Sequence, residues 1–391
     1  MPDKIRVAVV GAGRWSRDAH LPGFARSPLA DLRVICDLDR ELAEERQRQF
    51  DIAEVCTDYH DLLARTDIDL IDVCTRDEHE DLVFDVLGAG KHCLVEKPVA
   101  HRAEDVYRAQ ALAESRGLKT KVGLTFRYAP AVQYMYQMIL DGFVGRPLVF
   151  NGYEQNSQWL DPDNPADKRI HKVPPKDDAV GGRVPGSENI AVHSLEGYGA
   201  PIIDISMLTT QSEVTEVVGR LKNLVPMRRR TNLDEGREPI NMDDGDIYIC
   251  EFANGAFGSV QSSYVTVGNY PGIEARIYGE KGAIIVRLVD EFGECETIKA
   301  ATKDQVEFRE LEIPARFFPH GYRKGEPWPS LFYANLVHNF LEEIAGIRPE
   351  NQGNFAQSAK VQEIINAVEE SHRTRSWVEI ASRERIPAGE R

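Results

Sequence analysis

The run Gly11-Ala12-Gly13-Arg14-Trp15-Ser16 follows an apolar stretch at residues 5–10 and opens a helical segment. Strand, glycine turn and helix in that order suit a dinucleotide pyrophosphate. Gly11 permits the tight turn, Gly13 lets the backbone approach the phosphates, and Ser16 is small enough for helix–sheet packing at the third position. Unpaired N–H groups and the helix dipole then favour the anion. Asp37 ends the next strand-like run. A carboxylate there accepts hydrogen bonds from ribose hydroxyls and repels a 2′-phosphate. No Arg immediately follows it, so the pattern favours NAD over NADP.

A second group is Glu96-Lys97-Pro98, after a short apolar run at 92–95. Open α/β sheets bind ligands at the carboxyl ends of their strands. A Lys there could exchange a proton with a reacting oxygen and hold that oxygen electrostatically. A third group lies in the polar stretch 154–192, which is rich in Pro, Gly and Asp. A loop that long inside a compact domain is usually functional or mobile. Asn156, Trp159 and Arg183 are its substrate candidates, with Lys168, Arg169 and His171 nearby. Planar polar groups beside an aromatic face suit a sugar ring. The stretch reads as a substrate-specific insertion or an arm reaching a neighbouring subunit.

The elements that must hold these groups are legible from periodicity. Strand-like runs at 5–10, 32–36, 54–56, 70–74, 92–95 and 121–124 alternate with helical patterns at 41–50, 61–64, 80–87 and 103–116. Such alternation predicts a parallel sheet wound by right-handed crossovers. After residue 124 the pattern changes. A helix at 131–140 and a strand at 148–153 precede the polar stretch, and a helix at 202–208 follows it. Strands are then expected at 216–221, 246–252, 256–267, 274–278, 283–288 and 297–300, punctuated by glycines. Strands without intervening helices point to an antiparallel sheet. Two helical patterns, 331–344 and 357–370, close the chain. The expected division is a doubly wound cofactor domain at 1–124 and an α+β substrate-binding and oligomerisation domain at 125–391.

Composition limits the partners. The chain has 391 residues, with 63 Asp+Glu against 47 Lys+Arg and a net charge of −16. That balance argues against phosphate-backbone binding to nucleic acid. No stretch approaches the roughly 18 apolar residues of a membrane span. The first residues lead straight into an apolar strand, without a signal-peptide layout. None of the six cysteines has CxxC spacing and the ten histidines are scattered. Free thiols in a reducing cytoplasm and no metal site are the expectation.

Several of these motifs together resemble the Gfo/Idh/MocA oxidoreductases, the glucose–fructose oxidoreductases, inositol dehydrogenases and relatives. They are Gly11-Ala12-Gly13, Cys74-Thr75 followed by His79, Glu96-Lys97-Pro98, Val122-Gly123 followed by Arg127-Tyr128-Ala129-Pro130, and Gly142-Phe143-Val144-Gly145. The resemblance spans nearly the whole chain. It implies a Rossmann domain followed by a domain with a large open sheet that often mediates dimers or tetramers. It implies hydride transfer between NAD and a carbinol carbon of a sugar, sugar derivative or cyclitol. Lys97 takes the position of the catalytic lysine, and Glu96 and Arg127 line the nicotinamide pocket. Arg14, Trp15, Thr75 and His79 lie beside the cofactor. The Lys97-Pro98 bond is expected to be cis.

The chain departs from the family where a catalytic His usually stands at the start of a helix. In the best register that position is Pro201, which cannot move protons, while Asp204 matches a trailing Asp. Two neighbours are candidate replacements. Tyr198, between Gly197 and Gly199, is a phenol whose proton a nearby cation could loosen. His193 titrates near neutrality and suits general-base work. Both are candidate catalytic and substrate-binding residues, with Lys97 and Arg127 also facing substrate. The expected activity is NAD-dependent oxidation of a sugar or cyclitol hydroxyl. Two alternatives stay open: an NAD-recycling glycosidase or lyase that oxidises its sugar transiently at C3, and a non-catalytic NAD-binding regulatory subunit.

Overall fold

The computed structural model describes residues 4–76, 79–165, 190–231, 235–291, 294–349 and 353–380. The chain forms two compact units. One comprises Met1–Gln133 and Pro314–Ala359; the other is drawn from residues 134–313 and the chain after 359.

In the first unit, β1 (Ile5–Val10), β2 (Ala30–Cys36), β3 (Glu54–Cys56), β4 (Leu70–Val73), β5 (His92–Val95) and β6 (Thr120–Val122) form a sheet in the order β3-β2-β1-β4-β5-β6. Every pairing is parallel. Helices cover both faces, so β4 is buried at all four residues and β5 at three. That coverage explains their unbroken apolar character. The strand order reverses between β1 and β4, which opens a crevice at their carboxyl ends.

Helix Trp328–Ile344 belongs to this unit, although its position in the chain suggested the second domain. Its stripe Tyr333, Leu336, Val337, Phe340 and Leu341 completes a core with Val7, Val9, Leu21 and Phe24. A buried ion pair fixes the same helix to β6. Lys121 Nζ lies 2.8 Å from Glu343 Oε2, and neither side chain is exposed. Sequence distance hid this partnership, because an amphipathic stripe does not say which surface it covers.

In the second unit nine strands form one sheet. They are β7 (Pro147–Gln155), β8 (Val214–Lys222), β11 (Gly245–Phe252), β12 (Phe257–Ser263), β13 (Pro271–Gly279), β14 (Gly282–Glu291), β15 (Glu294–Thr302), β16 (Gln305–Glu310) and β17 (Val378–Glu379); β9 (Met227–Arg228) and β10 (Glu238–Pro239) pair separately. The order is β16-β15-β14-β13-β7-β12-β11-β8-β17, antiparallel throughout except for the parallel β7–β12 pair. Helix Ala200–Thr210 is buried along its whole length. It lies close on β7 because Gly152 leaves room: a Cβ there would meet Ile202 at 2.6 Å.

Some strands differ from expectation. The strand expected over 256–267 ends at Ser263, where Tyr264 and Val265 turn into a local core with Ile240 and Met242. β16 lies outside the expected strands; its only apolar residues, Val306 and Phe308, alternate with polar ones, and all six of its residues are exposed.

Candidate active site

The glycine turn is built as its sequence requires. Gly11 has φ +108°, and a Cβ there would lie 2.4 Å from the Cys74 carbonyl oxygen. Only glycine fits between β1 and β4. A Cβ on Gly13 would meet nothing within 4 Å, so the backbone there is open to a ligand. Helical structure begins at Arg14, and a π-helical turn, Ser16–His20, follows. Asp37 braces the turn: its Oδ2 accepts from Ala12 N at 2.7 Å and its Oδ1 from Asp39 N at 2.8 Å. It remains half-buried at the end of β2. The open glycine backbone, the helix start and this carboxylate fit the pyrophosphate and ribose of a dinucleotide.

Glu96 and Lys97 leave the end of β5, and the Lys97-Pro98 peptide is cis. Three donors converge on Glu96 Oε1: Trp15 Nε1 at 3.0 Å, His20 Nε2 at 3.2 Å and the Tyr333 hydroxyl at 2.5 Å. Burial alone would raise the Glu96 pKa. The His20 hydrogen bond and charge, helped by Lys97 and Tyr333, reverse this and bring it to about 2. Glu96 is therefore an anion at neutral pH, next in the chain to Lys97. The Trp15 indole turns inward, 5.8 Å from Trp328 and 6.1 Å from Tyr333 between ring centroids.

The remaining first-unit candidates lie on separate segments. His79 is buried and bridges two backbone carbonyls, Pro98 O at 2.6 Å and Thr75 O at 2.9 Å, tying the loops after β4 and β5 together. Arg127 is buried in the 3₁₀ turn Thr125–Tyr128. Arg14 is exposed and its Nε reaches Asp18 at 3.3 Å.

In the second unit, His193 and Tyr198 flank the start of a helical run. Tyr198 sits in a π-helical turn, Leu195–Gly199, that continues into Ala200–Thr210, rather than in an open glycine loop. Pro201 lies just past the join between the π-helical turn and that helix, and has no N–H to donate there. Asp243 holds the entry. Its carboxylate accepts from the backbone N–H of His193, from Ser194 N at 3.0 Å and from Leu195 N at 2.9 Å. The Tyr264 hydroxyl donates to Asp243 O at 3.1 Å and lies 3.0 Å from His193 Nδ1. Because that hydroxyl donates elsewhere, it accepts from Nδ1–H, which makes Nε2 the basic nitrogen of the neutral ring.

Tyr198 donates its hydroxyl to Gln158 Oε1 at 2.7 Å. Its ring packs with Trp159 at 5.7 Å, Tyr264 at 5.1 Å and Tyr270 at 6.2 Å. Trp159, Tyr198, His193 and Gln158 are all half-buried, which leaves them surface to present. Asn156 is fully buried. Its side chain donates to Pro271 O at 3.4 Å and accepts from Gln158 N at 3.2 Å. Arg183, Lys168, Arg169 and His171 lie outside the described residues.

Four residues central to these arrangements escaped sequence reasoning: His20, Tyr333, Asp243 and Tyr264. His20 and Tyr333 face the glycine-turn corner at positions that read as ordinary helix. The available signal was a histidine on an otherwise apolar helical face. Asp243 sits in Asp243-Asp244, which reads as a turn. Among the described residues, no group of three His, Cys, Asp or Glu is arranged to hold a metal ion, and no helix is long and apolar enough to cross a membrane.

Comparison with known proteins agrees with this geometry. Residues 5–124 match the family described as "Oxidoreductase family, NAD-binding Rossmann fold", and residues 198–285 match the "GFO/IDH/MocA C-terminal domain". The chain is 26% identical to levoglucosan dehydrogenase of Pseudarthrobacter phenanthrenivorans, over 96% of this chain and 98% of that protein. It is 30% identical to inositol 2-dehydrogenase of Paracoccus denitrificans over 46% of this chain and 57% of that protein. The fold superimposes on a levoglucosan dehydrogenase solved in complex with NADH at a TM-score of 0.81, with 24% identity, covering 97% of this chain and all of that one. With both family domains matched in order on a Rossmann unit and a large mixed sheet, the chain belongs to the Gfo/Idh/MocA family of NAD-binding oxidoreductases.

Proposed function

We propose that the chain is an NAD-dependent dehydrogenase acting on a secondary hydroxyl of a sugar, sugar derivative or cyclitol, with Lys97 as acid/base. The observation that carries this reading is the placement of Lys97. It follows a largely enclosed, ionised Glu96 at the carboxyl end of β5, and Glu96 is hydrogen-bonded to Trp15 of the glycine turn. Bound NAD supplies the hydride acceptor. As the neutral amine, Lys97 Nζ takes the hydroxyl proton in oxidation; the ammonium so formed holds the carbonyl oxygen and returns the proton in reduction. Gly11, Gly13 and Asp37 hold the dinucleotide, with Arg14, Trp15, Thr75, His79 and Arg127 around it.

In the second unit, Trp159 and Tyr198 offer aromatic faces for a ring and Gln158 a planar amide for its hydroxyls. His193 is better suited than Tyr198 to accept a proton, because its Nδ1–H is committed to Tyr264 while the Tyr198 proton is committed to Gln158. Similarity to levoglucosan dehydrogenase along nearly the full length supports an anhydrosugar as substrate, and the shorter match to inositol 2-dehydrogenase supports a cyclitol. The exposed apolar side chains Ile247, Ile249 and Phe257 on β11 and β12 support association of two copies through the sheet.

The test is a spectrophotometric screen of levoglucosan, inositol and D-apiose with NAD and NADP. NADH should accumulate in proportion to substrate consumed, and Lys97→Met should lower kcat by about 100-fold or more. Turnover without NADH accumulation would replace this reading with internal recycling of the cofactor. Full activity in Lys97→Met would remove the lysine from the chemistry.

A further inference from the structure

Both ring nitrogens of His20 face carboxylates. Nδ1 lies 2.7 Å from Asp72 Oδ2 and Nε2 3.2 Å from Glu96 Oε1. The His20 and Asp72 side chains have no exposed surface, and that of Glu96 is 12% exposed. Burial raises the Asp72 carboxyl above its ordinary value, and the charge and hydrogen bond of His20 pull it back; with both carboxylates ionised they only accept hydrogen bonds, so the ring donates from both nitrogens and is an imidazolium. The groups facing it are Asp72 on β4, Cys74 after β4, Glu96 after β5 and Tyr333 on helix Trp328–Ile344. Burial disfavours the charged ring, and the charge and hydrogen bond of Asp72 lead the opposing interactions that raise the His20 pKa well above the usual value. The Tyr333 ring lies over the imidazole at 4.0 Å, 33° from coplanar.

We propose that His20 is the positioning residue of the Glu96–Lys97 corner: bridging Asp72 and Glu96 as an imidazolium, it fixes the carboxylate beside the lysine and so sets where Lys97 stands. This rests on the reading of Lys97 as acid/base. His20 lies on the helical run that the glycine turn opens, and its two partners lie on and after neighbouring strands. One side chain therefore ties the nucleotide turn to two strand ends. Trp15 and Tyr333 complete the hold on the same Glu96 oxygen, but only His20 brings a positive charge. Without it the carboxylate is buried with its main countercharge removed and its anchor lost. Misplacing a reacting group by about 1 Å can cost about 100-fold in rate.

The test uses the full-length enzyme with NAD and whichever of levoglucosan, inositol and D-apiose it oxidises fastest. His20→Asn keeps a polar atom toward Asp72 but none toward Glu96. His20→Gln keeps one toward Glu96. His20→Asn should lower kcat by about 100-fold while KM and the NADH dissociation constant, read by nucleotide fluorescence, change by less than about threefold. His20→Gln should restore roughly tenfold of the loss. In a Glu96→Gln background His20→Asn should cost little more, because the two act as one unit. If His20→Asn fails to fold, Tyr333→Phe gives the milder version of the same kcat loss. Independently of turnover, ¹⁵N spectra of the imidazole at pH 7 should show both His20 nitrogens protonated. A neutral ring, equal kcat losses in the Asn and Gln variants, or additive losses with Glu96→Gln would overturn the proposal. Lys97→Met is run alongside: an inactive Lys97→Met with a fully active His20→Asn defeats this inference alone, whereas an active Lys97→Met defeats the reading beneath it.

Discussion

Gly123 stands where any side chain would collide with Glu96: a Cβ on Gly123 would lie 2.2 Å from Glu96 Oε1 and 2.9 Å from the Tyr333 hydroxyl. The glycine is required by the carboxylate that three donors share, not by its own backbone angles. Gly123→Ala should therefore push Glu96 off its partners. The expected cost is about 1–3 kcal/mol of stability from overpacking, with a kcat loss out of proportion to it. Urea unfolding and NADH-formation rates on the same preparation check both halves. An alanine variant with wild-type kcat would mean that the Glu96 position is irrelevant to turnover.

Lys121 and Glu343 form an ion pair with no exposure on either side, and the Lys121 ammonium also lies 5.6 Å from the Phe340 ring centre. Removing one partner leaves a buried charge without its counterion, which costs about 3–5 kcal/mol. Lys121→Met should lower the unfolding midpoint accordingly. Adding Glu343→Leu should recover most of the loss, because the double variant buries no charge. A double variant as unstable as the single one would contradict this account.

Asp246 predicts a pH dependence of stability. Burial pushes its carboxyl up to about 7 from the ordinary 3.8. Between those values the folded state keeps the proton and the unfolded chain releases it, so stability falls as pH rises across the window. Asp246→Asn has no proton to lose and can still accept from Ser262 N and donate to Ser262 Oγ, the two groups Asp246 contacts. The variant should match the wild type near pH 4 and exceed it above pH 7. Denaturation curves at both ends decide the point, and equal pH slopes would refute it.

Asp37 controls nucleotide choice if its carboxylate meets the ribose. Asp37→Ala should weaken NADH binding about 10- to 100-fold, the worth of a charged hydrogen bond, and move the NADH/NADPH affinity ratio toward NADPH. Since Asp37 also accepts from Ala12 N and Asp39 N, some loss for both nucleotides is expected. Titration by nucleotide fluorescence measures the ratio. An unchanged ratio would assign Asp37 to the turn alone.

Ile247, Ile249 and Phe257 leave apolar side chains exposed on β11 and β12. If a second copy covers them, Ile249→Lys should shift the molecular mass in solution toward the monomer. Light scattering reads this directly, and an unaltered mass would place any association elsewhere.

How much of this was legible follows from the range of each interaction. The sequence alone determined the glycine turn, the acid at the end of β2, the Glu96-Lys97-Pro98 corner and the change from alternating helix and strand to consecutive strands. These are local patterns, written in a few adjacent residues or in a period of two or 3.6. It also flagged His193, Tyr198 and Trp159 without saying how they meet. Tertiary structure decided the rest, because partners far apart in the chain leave no local signature. Tyr333 reaches Glu96 across 237 positions, Lys121 reaches Glu343 across 222, and His20 reaches Asp72 across 52. Each is a buried polar group that needs a partner to offset its lost hydration. Only the folded packing of helix Trp328–Ile344 and the sheet says which partner that is.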